Sequence, residues 1–320
     1  MGEKPANSDL KLSNLAGHVG HLSPEQETTL QSFKESLGQA KLYHVVDEAP
    51  SHDEATLLRF LRARSWNIAA AQRQFAGHEA WLKEHDVLRV LHEISPEDFL
   101  QTQKYYPRWT GRRDKLGIPI FVYRLASLEP LSKEIFSTPA ETRYIRIAAL
   151  SEHVRHFFLP LCTYLPHSSE PTPISSSISI IDLGNASFSL LWKLRSHMQE
   201  ASTLTTANYP ETIHTIAVVN SPSFFPTIWN WIKGWFDEGT RQKIHVLGSD
   251  PGEKLLELID AENLPVQYGG SLEWKFEDEP NLDEDTKRVL GEMPKGSALF
   301  KDGKLIQPPP LPPSNSASDN

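Results

Sequence analysis

Thr56-Leu57-Leu58-Arg59-Phe60-Leu61-Arg62-Ala63-Arg64 is the segment whose residue types and spacing point most directly to chemistry. At about 100° per residue, Leu57, Leu61 and Arg64 share one helical stripe with Phe60 and Leu58 beside it, so Arg64 is expected to point where the apolar face points. The pattern is compatible with two roles. An arginine near a helix C-terminus is favoured by the macrodipole and can snorkel its head to water. A guanidinium facing a cavity must instead find an anion, and its planar fork suits a phosphate.

Glu211 precedes one expected strand and Lys243 begins the next. If those strands are parallel neighbours, both charges lie at the same sheet edge. They can then form a structural salt bridge, or the lysine can meet an anionic headgroup. In Ser177-Ile178-Ser179-Ile180, alternation puts both hydroxyls on one strand face. Both faces of a parallel sheet are normally covered and apolar, so these serines either mark a cavity with polar points or are satisfied by backbone. Residues 223–236 place three of the eight tryptophans within seven positions. As a helix, Phe225, Ile228, Trp229, Ile232, Trp235 and Phe236 would share one arc, with Phe224 and Trp231 widening it. That face suits either a heavily packed crossover helix or one that lies in a membrane interface, where tryptophan is favoured. Its basic flank is thin, with Lys233 inside the segment and Arg241 just beyond.

These residues need a scaffold, and periodicity outlines one. Ser23-Pro24-Glu25-Gln26 is a capping box that opens a helix through about Ser36. A second helix carries the Leu57/Arg64 stripe. Asn67 caps a third, in which Ile68, Ala71, Phe75, Ala76 and Trp81 recur at helical spacing. After Pro107, expected strands at Ile118–Tyr123, Ser177–Leu183, Ile213–Val219 and Lys243–Leu247 alternate with helices over 139–164, 187–206, 224–236 and 252–260. This predicts an α/β fold with a mostly parallel sheet and a small helical N-terminal subdomain. The expected organisation is a flexible tail over 1–22, a helical domain over 23–100, an α/β domain over 101–272, an acidic, irregular extension over 273–306 and a proline-rich tail over 307–320. The run Pro308–Pro313 is either a solvated tail or a ligand for an SH3-type groove.

With 320 residues and 39% hydrophobic content the chain can bury a sizeable core. A formal charge of −9 argues against broad nucleic-acid binding, which needs a basic face. The single cysteine, Cys162, fits a reducing compartment, and no export leader or membrane-spanning run is evident, so a cytoplasmic protein is expected. No G-x-S-x-G, G-x-G-x-x-G or P-loop motif appears. The pairs His18/His21 and His153/His156 lack the surrounding cluster of a metal site. No enzyme activity, metal or cofactor is expected.

At these residues the chain resembles the CRAL-TRIO lipid-transfer family, and more closely its phosphatidylinositol-transfer branch. The resemblance spans about Ser51 to Gly270. It is carried by D-E-A-T-L-L-R-F-L-R-A-R at 53–64, I-I-D-L at 180–183, E-A-S at 200–202, N-Y-P-E at 208–211, D-E-G-T-R-Q-K-I-H-V-L-G at 237–248 and A-E-N-L-P-V-Q-Y-G-G at 261–270. It implies a helical subdomain on a lipid-binding cage closed by a mobile gate helix, here at 224–240. It also implies phosphatidylinositol headgroup contacts at Arg64, Thr240 and Lys243, with Glu211 on the inositol side, and places Ser177 and Ser179 near the phosphocholine of a second ligand. One departure bears on that second ligand. Two tyrosines that help hold choline in dual-specificity members align with Thr110 and Phe121, and Trp109 is the neighbouring ring able to make a cation–π contact. Phosphatidylcholine and sterol-like, tocopherol-like or retinoid cargo therefore remain open as second ligands. The resemblance implies bound phospholipid in place of a cofactor. It further implies a monomer exchanging lipid transiently at Golgi, endoplasmic reticulum or endosomal membranes, in support of phosphoinositide metabolism and vesicle trafficking, with a lipid kinase downstream.

Overall fold

The computed structural model describes residues 15–236 and 238–308. α1 (Pro24–Gln39) begins at the Ser23 capping box, with both reciprocal hydrogen bonds made, and buries Leu30, Phe33 and Leu37. A short hairpin of β1 (Val45–Val46) and β2 (Ala49–Pro50) leads to α2 (Glu54–Ala63), capped by the Asp53 carboxylate, and then α3 (Ile68–Glu84), capped by Asn67. The three helices close on an aromatic knot in which Phe75 meets Phe33 and Phe60 edge-to-face at 6.3 and 5.0 Å. Residues 15–22, expected to be a loose tail, pack on this unit. Val19 and Leu22 cover its core, Arg62 Nη1 donates to Gly17 O at 3.0 Å, and Thr172 Oγ1 donates to Val19 O at 3.0 Å. These ties are long-range, so no local periodicity announces them; residues 1–14 of that expected tail lie outside the described residues. α4 (Val87–Glu93) and α5 (Pro96–Gln103) follow, each too short to give a readable period.

The sheet contains β3 (Arg108–Arg113), β4 (Pro119–Arg124), β5 (Ser177–Asp182), β6 (Ile213–Val219) and β7 (Ile244–Gly248) in that spatial order. β3 pairs antiparallel with β4, and the remaining pairings are parallel. β4 and β5 are joined through α6 (Ser132–Ser137), α7 (Ala140–His153), a π-helical turn (Val154–Phe158) and α8 (Leu159–Tyr164). α9 (Phe188–Asn208) joins β5 to β6. α10 (Phe225–Ile232), a 3-10 turn (Lys233–Trp235) and α11 (Glu238–Gln242) join β6 to β7, and α12 (Gly252–Leu258) follows.

Strand alternation divides the sheet into a filled face and a hollow face. Ile120, Val122, Ile178, Ile180, Ala217 and Val219 are buried against α12, Tyr268, Trp274 and Phe276. The other face carries Phe121, Tyr123, Ser177, Ser179, Ile181 and Ile216, which line a cavity.

The expected irregular extension has structure of its own: α13 (Glu284–Leu290) and the hairpin β8 (Leu299–Lys301) and β9 (Lys304–Ile306). Its acidic residues find partners on β3, with Arg113 Nη2 3.0 Å from Asp283 Oδ2 and Asn281 N donating to Thr110 O at 2.8 Å. Gly111, at φ 88°, allows this approach, because a Cβ there would collide with the Asn281 backbone. Most of the proline-rich segment, residues 309–320, lies outside the described residues.

Candidate ligand-binding site

The cavity measures about 350 Å³. A single register row, Trp109–Phe121–Ser179–Ile216, runs across its sheet wall. Trp109 and Phe121 meet Phe158 from the π-helical turn edge-to-face at 5.2 and 5.3 Å. The Trp109 Nε1–H donates to Arg112 O at 3.0 Å, which fixes the ring. Ser177 and Ser179 both line the hollow; Ser177 Oγ donates to Thr212 O at 3.3 Å, so its hydroxyl is tied to backbone. Thr110 is not with them. As Trp109's neighbour on β3 it turns to the other face, where it is fully buried and donates to Ile120 O at 3.2 Å.

β6 and β7 are parallel neighbours, and this brings Glu211 and Lys243 together at one sheet edge, Nζ to Oε2 2.8 Å. Thr240, on α11, is half-buried one turn earlier, and its carbonyl accepts from Lys243 N at 3.1 Å. Arg64 departs from its expected direction. α2 ends at Ala63, and Arg64 is the C-cap at φ −119°, so it no longer follows the helical stripe. It is half-buried and donates through Nη1 to Ala63 O at 2.9 Å. Arg62 is the α2 arginine whose ionisation responds to Glu211: burial lowers its pKa and the Glu211 charge opposes that shift. His214, on β6, is pushed down to about 4 by burial and then by Lys243 and His18.

Two buried charge centres escaped sequence reasoning. Glu152 is fully buried and receives Arg155 at 2.9 Å and His156 at 3.0 Å. Burial alone would raise its pKa, but the Arg155 charge and the His156 bond hold it well below the usual carboxylate range. Arg155 lines the cavity. Arg59, 3% exposed, is the inward arginine of α2; it reaches Pro210 O and Thr56 Oγ1, each at 3.4 Å. No helical pattern announced Arg59, which lies about 160° round the wheel from both Leu57 and Leu61; its burial comes from the tertiary contact with Pro210.

The aromatic segment is a helix for less of its length than its pattern suggests. α10 stops at Ile232 and gives way to the 3-10 turn containing Gly234. Phe225 and Ile228 are buried, whereas Trp229, Trp231, Ile232, Trp235 and Phe236 are half-buried, and Phe236 lines the cavity. Trp231 stacks edge-on with Trp192 at 4.9 Å and Phe188 at 5.5 Å, both exposed on the first turns of α9. Among the described residues no helix is long and apolar enough to cross a membrane.

Residues 102–270 match the model of the CRAL/TRIO domain, and residues 20–77 that of the CRAL/TRIO N-terminal domain. The chain is 32% identical to the Sec14 cytosolic factor of Schizosaccharomyces pombe over 80% of this chain and 85% of that protein. It is 31% identical to the SEC14 cytosolic factor of Eremothecium gossypii over 80% of each. With the phosphatidylinositol/phosphatidylcholine transfer protein SFH9 of Arabidopsis thaliana it shares 29% identity over 77% of this chain and 41% of that one. A crystal structure of Sfh5 superposes with a TM-score of 0.60 at 16% identity, covering 88% of this chain and 98% of Sfh5, and shows the same fold.

Proposed function

Because the chain belongs to the CRAL/TRIO family, we propose that it is a lipid-transfer protein which takes phosphatidylinositol, and a second hydrophobic lipid, from one membrane and releases it at another. The observation that supports this most strongly is an apolar hollow bordered by an aromatic crossover segment, with the Glu211–Lys243 pair at the edge of the same sheet. An acyl chain gains about 0.8 kcal/mol per CH₂ on leaving water, but a bilayer already provides that gain, so the cavity need only match hydrocarbon and selectivity falls to the headgroup.

In this reading Lys243, Thr240 and Arg64 hold the inositol phosphate, and Glu211 accepts from inositol hydroxyls. Lys243 must then exchange a carboxylate for a phosphate. The pair is only about a quarter exposed on each side, so the exchange is favourable where the phosphate returns to Lys243 both the charge and the hydrogen bond that Glu211 supplied. Arg64 gives up a single hydrogen bond to reach the ligand. Residues 23–100 form the helical subdomain and 101–272 the cage, with 224–240 as the gate that opens at a bilayer. The Trp109 and Phe121 rings and the Ser179 hydroxyl receive the second lipid. Thr110 faces away, which weakens the choline side and favours a sterol-like or isoprenoid second cargo over phosphatidylcholine. The protein carries lipid without consuming it. It works from the cytosol, as the name of the Schizosaccharomyces relative suggests, touches Golgi, endoplasmic reticulum or endosomal membranes transiently as a monomer, and supplies a lipid kinase.

The test is transfer of labelled phosphatidylinositol between vesicles. Lys243→Ala and Arg64→Ala should each lower the rate by about tenfold to a hundredfold, as expected when a charged hydrogen bond worth about 1.5–3 kcal/mol is lost. Wild-type rates in both variants would overturn the headgroup assignment. Mass spectrometry of the small molecules released by denaturing the purified protein identifies the second cargo.

A further inference from the structure

His197, on α9, is 2% exposed, and neither of its ring nitrogens has a hydrogen-bond partner. The Ser202 hydroxyl, 9% exposed on the same helix, is likewise without a partner. Both residues line the cavity. Neighbouring Thr205 shows the usual outcome for a helical hydroxyl, returning its proton to Ala201 O at 2.9 Å. Ser202 does not. Buried polar atoms are nearly always satisfied, so three orphaned ones on two residues of one cavity wall call for a partner from outside the chain.

We infer that His197 and Ser202 form a second polar subsite, on the helical wall of the cavity, which takes the uncharged hydroxyl of an otherwise hydrocarbon ligand. The chemistry of that group follows from the donor set. Burial, assisted by the Arg143 charge, pushes the His197 imidazole down to about 4, so at neutral pH it presents one N–H and one lone pair and exerts no pull on an anion. Ser202 can give or accept one hydrogen bond. An ester carbonyl only accepts, and would leave the imidazole lone pair unmet. A hydroxyl both donates and accepts, and matches the set. Tyr106, whose ring lies tilted 5.6 Å from that of His197, also lines the cavity beside the imidazole. A sterol, a diacylglycerol and an isoprenoid alcohol all offer this group.

The inference rests on the proposed role of the cavity in holding lipid, and the experiment separates the two. Lipid-stripped protein is incubated with vesicles carrying labelled cholesterol, diolein or geranylgeraniol, each beside its O-methyl or deoxy analogue, and retained ligand is counted. Wild-type protein should retain at least one alcohol about tenfold over its analogue, as two neutral hydrogen bonds allow. His197→Leu should erase that preference, Ser202→Ala should cut it several-fold, and His197→Gln, which keeps a donor and an acceptor, should preserve part of it. If His197→Leu does not fold, Ser202→Ala decides. No preference in the wild type, as expected if water alone fills the subsite, or a preference that survives in the variants, overturns the inference. Wild-type phosphatidylinositol transfer is read in parallel. Its absence beside an intact alcohol preference would overturn the transfer reading and leave the subsite standing.

Discussion

Removing the buried Glu152 carboxylate would take from the half-buried Arg155 guanidinium its ion-pair partner, leaving it beside His156 Nε2 at 3.0 Å. Breaking a buried pair from one side costs about 3–5 kcal/mol, far more than the pair's net contribution, because a lone charge remains in a low-dielectric site. Glu152→Ala is therefore expected to lose about that much in urea denaturation, and Glu152→Gln less, since an amide oxygen still accepts from Arg155. Little of this was legible in the sequence. An acid followed by bases at i+3 and i+4 normally marks a solvated helix face, and only the tertiary cover over α7 reverses that meaning. Arg64 differs from expectation in direction only, because its stripe assumed a helix that continued past Ala63, whereas Arg64 is the C-cap and leaves the helical path. The Glu211–Lys243 pair was legible because it required only that two strands be parallel neighbours, which the alternation of strands and helices already implied.

At the scale of elements, the gate segment shows where pattern and backbone part. Aromatic periodicity runs on to Phe236, but Gly234 lowers helix propensity by about 1 kcal/mol relative to alanine, and the helix ends two residues before it. Neither φ nor space requires glycine at this position, since a Cβ would meet open space. Gly234→Ala should therefore lengthen α10 and slow lipid exchange by stiffening the segment, with melting temperature unchanged or raised. Equal exchange rates in stopped-flow transfer would show that the turn is not a hinge. The exposed end of the segment is shared with α9, whose Phe188 and Trp192 flank Trp231, with the Arg195 guanidinium 4.0 Å above the Trp192 ring. Trp231→Ala and Trp235→Ala are expected to weaken vesicle association several-fold while leaving the melting temperature within a few degrees of wild type. Full association in a flotation assay would return this helix to a packing role. The α9 contribution could not be read from the segment alone, because Phe188 and Trp192 become its neighbours only through the crossover. β3 was hidden for a related reason: Arg-Trp-Thr-Gly-Arg-Arg reads as polar until the 273–306 extension supplies its partners.

Across the whole molecule, depressed histidines set the response to acid. His78, His153 and His197 are each at most 3% exposed, and burial pushes them down to about 4, about 3 and about 4, while the less deeply placed His18 and His214 are also pushed down to about 4. The unfolded chain protonates them near 6.5, so between that pH and about 4 it binds protons the folded chain refuses. Their stabilisation is complete above pH 6.5 and is lost as pH falls. Asp114 acts in the opposite sense: burial raises it to about 7 despite hydrogen bonds from Leu116 N and Ile118 N, so the folded state holds a proton there that the unfolded state releases above about 4. Near pH 5 the balance is five protons favouring the unfolded chain against one favouring the folded one. At about 1.4 kcal/mol per pH unit per proton, stability should fall by up to about 6 kcal/mol for each unit of acidification there. Urea titrations at pH 6.5, 5.5 and 4.5 measure that slope. His197→Gln should flatten it by roughly one proton's worth, about 1.4 kcal/mol per unit, whereas Asp114→Asn should steepen it by the same amount. A slope unchanged by His197→Gln would mean that this imidazole already carries its proton in the folded protein. It would then face the cavity as a cation, better matched to an anionic lipid group than to a neutral alcohol.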